Sequence, residues 1–203
     1  MDRRLFLAGA TPLLALSACK PLLPAQKMVA TEGRTTTLLA AAREQTRHLC
    51  RYDGGYTRIG YPMGDVPLTH GACTDVVIRA YRALGVDLQQ LVHEDMLAHF
   101  DLYPKRWGLA APDSNIDHRR VPNLMVFFAR FATVLPVSDK PADFKPGDLV
   151  TNRPGGGTHI AIVSNRQSMF ADRLMVIQNC GWGPREDDQL FSYPMMGHYR
   201  FSL

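Results

Sequence analysis

The sequence is short of several things, and each shortage removes a class of function. No stretch concentrates lysine and arginine with interleaved aromatics, although the net charge is +4 over 203 residues. Nucleic acid is therefore not an expected partner; the mild basicity only tolerates an anionic polymer or membrane surface nearby. There are four cysteines, none in a C-x-x-C spacing, which speaks against a zinc ribbon, and no metal or other cofactor is expected. Internal repeats and low-complexity segments are missing as well. The N-terminal apolar run, residues 5–18, is too short to span a bilayer and is interrupted by Pro12. What is present is globular: 46% hydrophobic and 21% charged residues, enough for a core and too apolar for disorder.

The first residues read as targeting. Asp2-Arg3-Arg4-Leu5-Phe6-Leu7 has the form of a twin-arginine export signal, and the run after it has signal-peptide length. It closes on Leu16-Ser17-Ala18-Cys19, which resembles the bacterial lipobox, where diacylglycerol is attached to Cys19 and the chain is cut before it. The expectation is an exported lipoprotein held to a membrane through Cys19, several acyl chains making the anchoring stable. Lys20 resembles an outer-membrane sorting pattern in a Gram-negative host, with the domain on the periplasmic side. The alternative is a plain secretory signal with an accidental cysteine. Residues 19–34 read as a tether and residues 35–203 as one domain. With Cys19 modified, Cys50, Cys73 and Cys180 remain, an odd number. Either Cys50 pairs with Cys180 and leaves Cys73 free, or no disulfide forms.

Periodicity predicts helices first. Leu38, Leu39, Ala42, Thr46 and Leu49 recur at helical spacing over residues 35–49. Residues 51–71, rich in glycine, tyrosine and proline, predict a long loop, and a long loop in a compact domain is more often functional than idle. Thr74 or Asp75 opens a helix with Val76, Val77, Ala80, Tyr81 and Leu84 on its apolar face, stopped by Gly85. Asp87 caps another, with Leu88, Leu91, Val92, Met96 and Phe100 inward. Residues 103–120 look loop-like, and Pro122 sits in the first turn of a helix running to about Phe131. Short β-rich runs follow at 148–152, 159–165, 174–178 and 198–201. Helices before strands predict an α+β domain, its helices packed on a small antiparallel sheet.

The chemistry-bearing residues stand at element ends. Cys73 lies in Gly71-Ala72-Cys73-Thr74-Asp75, at a helix start where free backbone N–H groups and the helix dipole favour a thiolate. The same N–H groups can hold an oxyanion. The bland alternative is a buried structural cysteine. His159 opens the run His159-Ile160-Ala161-Ile162-Val163 after three glycines, and at a strand mouth it can act as a base toward the thiol. A third group should orient its imidazole; Gln178 and Asn179 both offer a carbonyl, and alternation lets one of them reach. Asp75 can cap its helix, pair with Arg79, or take part in the site. His118 and Arg119 can line a cleft and hold a carboxylate or anion, or fix their loop internally. Tyr61 and Trp107 are candidate cleft walls or packing residues.

These residues carry a resemblance. A small residue before cysteine at a helix start, then Pro146-Gly147-Asp148-Leu149-Val150, then His159 opening an Ile-Ala-Ile-Val strand, resembles the NlpC-type superfamily of papain-like cysteine peptidases. Longer strings, among them 73–82, His93-Glu94-Asp95-Met96, 115–123 and Gly197-His198-Tyr199-Arg200, resemble bacterial domain-of-unknown-function family 1287. The resemblance covers about residues 35–203. It implies a papain-like α+β fold and a cysteine amidase or peptidase with Cys73 as nucleophile and His159 as base, acting through an acyl-enzyme. The substrate it implies is peptidoglycan, at a cell-wall peptide amide, or another amide. Two departures stand out: Ala72-Cys73-Thr74 replaces Asp-Cys-Ser, and Gln178 stands where related sequences tend to show histidine. They leave room for a non-catalytic envelope-binding module of the same fold. Thiol redox cycling between Cys73 and Cys180 is a further reading.

Overall fold

The computed structural model describes residues 27–201. The expected signal sequence, the expected lipidation site Cys19 and the first part of the tether lie outside the described residues. The second part of the tether is not free chain. Met28 bridges Arg166, the Val29 N–H donates to the Asn165 carbonyl at 2.6 Å, and the Gln167 N–H donates to the Lys27 carbonyl at 2.8 Å.

Helix α1, Gly33–Glu44, buries Leu38, Leu39 and Ala42. It ends earlier than its apolar spacing predicts. A 3₁₀ turn at Gln45–Arg47 follows, His48 is extended, and Leu49 is 96% exposed. The long loop contains two short parallel strands, β1 (Arg51–Tyr52) and β2 (His70–Gly71), bonded to each other. Its middle is held by one buried side chain, Gln89. The amide nitrogen of Gln89 donates to the carbonyls of Gly60 and Ser114, and its oxygen accepts from the Gly64 N–H. Gly64 must be glycine there, because an added Cβ would lie inside the Gly60 carbonyl.

Helix α2, Cys73–Arg82, starts at the cysteine itself, slightly earlier than expected. Asp75 closes the start by accepting from the Ala72 N–H at 2.6 Å, the carboxylate half of a capping box. Arg79 turns away from Asp75 and pairs with Asp65. Helix α3, Leu88–His99, is capped as expected by Asp87, which accepts from the Gln89 N–H. The segment before α4 (Val121–Phe131) is exposed or half-buried over residues 104–115 and turns inward at its end. Its 3₁₀ turn, Asp117–Arg119, is buried at all three residues.

Six antiparallel strands form one sheet in the order β3-β8-β4-β5-β6-β7. They are β3 (Thr133–Leu135), β4 (Leu149–Asn152), β5 (His159–Gln167), β6 (Leu174–Gln178), β7 (Arg185–Asp187) and β8 (Met195–Arg200). The edge strands β3 and β7 have three residues each and lack a clear periodic signal. The sheet is buried on both faces. Leu149, Ile160, Ile162 and Ile177 join the helices in one cluster, while Val150, Ala161, Val163 and Val176 meet Phe144 and Leu190 in another. This explains why β5 reads as a continuous apolar run and not as an alternation.

Asp148 ties the β4 end to β8. Its carboxylate accepts from His198 Nε2 at 2.9 Å, twice from Arg200 at 2.7 Å, and from the Lys145 N–H at 2.8 Å. Burial alone would raise this carboxyl; the hydrogen bonds from His198, Arg200 and Lys145 more than offset it and hold it below the usual aspartate range. A depressed folded pKa contributes stability that is present above the unfolded value and lost as pH falls through the folded one. Asp148→Ala should therefore cost about 3 kcal/mol near neutrality, the low end for a broken buried pair because Arg200 is partly exposed. The difference from wild type should shrink below about pH 4 in urea titrations; a pH-independent difference would exclude the ionic account.

Candidate active site

Cys73 occupies the first turn of α2 and is 2% exposed. Its sulfur lies against the backbone N–H groups of Thr74 and Ile160, and against the Tyr52 hydroxyl. Ile160 directly follows His159, so packing α2 on β5 brings the sulfur to the strand end that His159 opens. No hydrogen bond joins Cys73 to the His159 ring, whose partner is Gln178. Alternation along β5 puts Ile160 and Ile162 on the helix side and His159 with Ala161 and Val163 on the other. The expected low thiol pKa is not found. Burial pushes it up to about 11, with the Asp75 charge adding to the rise, and the hydrogen bonds from Ile160, Thr74 and Tyr52 compensate only in part. Desolvation of a sulfur held at a buried helix start outweighs the dipole.

His159 is buried, and its Nε2 lies 2.7 Å from Gln178 Oε1. The amide orientation follows from the other side of Gln178. Its nitrogen donates to Asp187 Oδ1 at 2.8 Å and to Gln189 Oε1 at 2.9 Å. Both are acceptors, so the oxygen must face His159, the proton of the neutral ring sits on Nε2, and Nδ1 keeps its lone pair. Burial lowers the His159 pKa, with the Gln178 bond opposing it only in part. At neutral pH Cys73 is a thiol and His159 a neutral imidazole.

Asn179 serves a different end. Its side-chain nitrogen donates to the Gly71 carbonyl at 2.9 Å, and its oxygen accepts from the Gly181 N–H. It braces the backbone leading to Cys73 and does not orient the imidazole.

Asp75 and Arg119 form a buried bidentate pair at 2.8 and 2.9 Å. The remaining Arg119 contacts go to the carbonyls of Gly55 and Asp53, so its guanidinium holds a loop. His118 is likewise interior. Desolvation and the neighbouring Arg82 and Arg119 charges press its pKa down to about 3. The expected cleft role of His118 gives way to an interior one, while Arg119, though bonded internally, also lines a cavity of about 210 Å³ with Asp53, Thr57, Val66, Pro67 and His70. Tyr61 packs edge-on to His93 at 5.1 Å, and Trp107 lies over the Arg120 guanidinium at 4.0 Å. Cys50 and Cys180 are free thiols, which corrects the paired alternative.

Three residues at this site escaped sequence reasoning: Tyr52, Asp187 and Gln189. Tyr52 reaches Cys73 only because β1 bonds β2, opposing Tyr52 to Gly71. Asp187 and Gln189 sit in and beside a three-residue edge strand with no periodic signal.

Residues 39–201 match the protein family described as Domain of unknown function (DUF1287). The chain belongs to this family. Uncharacterized protein YijF of Escherichia coli (strain K12) is 47% identical over 176 residues, spanning 86% of this chain and 85% of that protein. Among solved structures, NlpC2 from Trichomonas vaginalis overlays with a TM-score of 0.44 at 13% identity, covering 85% of this chain and 48% of its own. NlpC1 from the same organism gives 0.42 at 12%, covering 87% and 46%. The chain thus spans about half the length of these solved structures.

Two outcomes follow for this DUF1287 domain. Nitrogen-detected NMR should show His159 as the Nε2–H tautomer, titrating below its ordinary value near about 6.5; Gln178→Ala should mix the tautomers. Asp75→Ala should destabilise the domain by about 3–5 kcal/mol in chemical denaturation, because it strands a buried guanidinium.

Proposed function

We propose that this chain is an exported, lipid-anchored cysteine hydrolase of papain-like type that cleaves an amide of cell-wall peptide. One observation supports it above the others: the Cys73 sulfur sits at a helix start, against the N–H of the residue after His159, whose ring Gln178 and Asp187 orient. In this reading His159 Nδ1 takes the thiol proton as sulfur attacks the amide carbonyl. The N–H groups beside the sulfur stabilise the developing oxyanion. The protonated imidazole then delivers the proton to the leaving amine, and water releases the acyl group from sulfur.

Because the resting pair is neutral, proton transfer accompanies attack; there is no standing ion pair as in a preactivated thiolate. Reaction of Cys73 with iodoacetamide should accordingly climb through the alkaline range toward a thiol pKa of about 11, with no plateau near neutrality. The lipobox-like string at Cys19 and the export signal support a periplasmic location, where peptidoglycan is the accessible amide polymer.

The burial of Cys73 and the neutral Gln178 favour a second reading, an envelope-binding module that keeps the fold without turnover. Incubation with purified muropeptides, followed by mass spectrometry, separates the two. Cleavage that vanishes in Cys73→Ala and falls about 10²–10⁴-fold in His159→Ala supports the hydrolase. Muropeptides retained intact by wild type and by Cys73→Ala alike would establish the binding module instead.

A further inference from the structure

The end of the domain opposite the site has a composition of its own. Strand β5 starts at His159 and runs nine residues to Gln167, about 27 Å. Beyond it the hairpin to β6 turns through Met169 and Phe170, which are 63% and 85% exposed. The turn is built, not loose. The Ser168 N–H donates to the Arg173 carbonyl, the Ser168 hydroxyl accepts from the N–H groups of Phe170 and Ala171, and it donates to Asp188. A braced turn that holds an apolar pair in solvent keeps it away from the core it could otherwise join.

The N-terminal segment arrives at the same place. Residues 27–29 bond to residues 165–167 at the foot of the hairpin, adding Met28 at 50% and Val29 at 37% exposure. Beside them opens a cavity of about 480 Å³ walled by Val29, Phe144 and Leu174, with Lys145, Asp172 and Arg173 at its edge. Eight peptide units separate Cys19 from Lys27, a reach of at most about 28 Å. A lipid on Cys19 would keep this end close to the bilayer.

We propose that the Met169–Phe170 hairpin tip, with Met28 and Val29, rests in the interfacial layer of the membrane and turns Cys73 and His159 away from it. The choice of a bilayer as occupant rests on the anchoring reading. An apolar pair on a stiff turn enters the headgroup boundary at little conformational cost. Strand β5 then acts as a spacer that sets the site about 27 Å farther out, toward the polymer side of the envelope.

The test uses the full-length protein extracted from cell membranes and reconstituted in phosphatidylethanolamine–phosphatidylglycerol vesicles carrying bromine-labelled acyl chains. Wild-type emission comes from Trp107 and from Trp182, which lies at the site end, 83% exposed, and should be unaffected. Phe170→Trp should lose roughly half of its added emission, as expected for a side chain at the boundary between headgroups and acyl chains. Equal quenching of Trp182, read in a Trp107→Phe background, would mean the site end faces the lipid and would overturn the proposal. So would a blue-shifted but unquenched signal from the introduced indole, which means burial against protein. Mass measurement of the Cys19 peptide on the same sample keeps the two ideas apart. A diacylated Cys19 with no quenching of the added emission in Phe170→Trp defeats the surface and leaves the anchor. An unmodified Cys19 with that emission quenched defeats the anchor and leaves the surface.

Discussion

A single buried guanidinium fixes the geometry on which the site depends. Arg119 enters from the 3₁₀ turn before α4, grips Asp75 in the first turn of α2, and holds the carbonyls of Asp53 and Gly55 in the long loop. Thr74 returns the contact by donating to the Arg119 carbonyl. Asp75 meanwhile accepts the Ala72 N–H. Three segments far apart in sequence are thereby locked around the residue between Ala72 and Thr74. The pair is expensive to bury and more expensive to break. That asymmetry makes it a poor source of net stability and a strong determinant of one conformation at the cysteine.

The same enclosure sets the chemistry. A helix start in water favours a thiolate, and the sequence pattern alone points that way. Packing α2 on β5 takes the sulfur out of water, and the loss of solvation exceeds what two backbone N–H groups and a phenol return. His159 suffers the same loss. Both groups stay neutral, which removes the cost of a standing buried ion pair. In the hydrolase proposed above, the donors beside the sulfur would act on charge that appears only in the transition state.

What was legible in the sequence follows from what kind of signal each element leaves. Helices α2 and α3 carry one-sided apolar spacing with a cap, and both were readable to within a residue or two. Strands β4, β5 and β6 carry β-branched runs, with glycines before β4 and β5 and after β6. Leu49 misled because an apolar residue in phase with α1 says nothing about where the backbone leaves the helix, and here a 3₁₀ turn ends it first. The polar string 117–119 left two readings open, a cleft lining or an internally fixed loop, because each residue alone is costly to bury. The structure buries all three, Arg119 satisfied by Asp75 and by backbone carbonyls, a solution visible only in three dimensions. The short strands β3 and β7 owe their existence to neighbours, and three residues hold too little pattern to announce them.

Gln178 shows how a departure in sequence can be absorbed by its surroundings. A histidine or carboxylate in that position could bring charge to the imidazole directly. Glutamine brings none, yet its amide is not free to choose its orientation. Asp187 and Gln189 take its two N–H donors and leave only the carbonyl for His159. The acid is displaced one residue outward, onto an edge strand, where burial pushes its own pKa up. Orientation of the imidazole is retained through a polarised amide, while the electrostatic support that a neighbouring carboxylate would lend to an imidazolium is weakened by the intervening distance. Such a site orients its imidazole well and would stabilise a protonated ring only modestly, in keeping with the lowered His159 pKa.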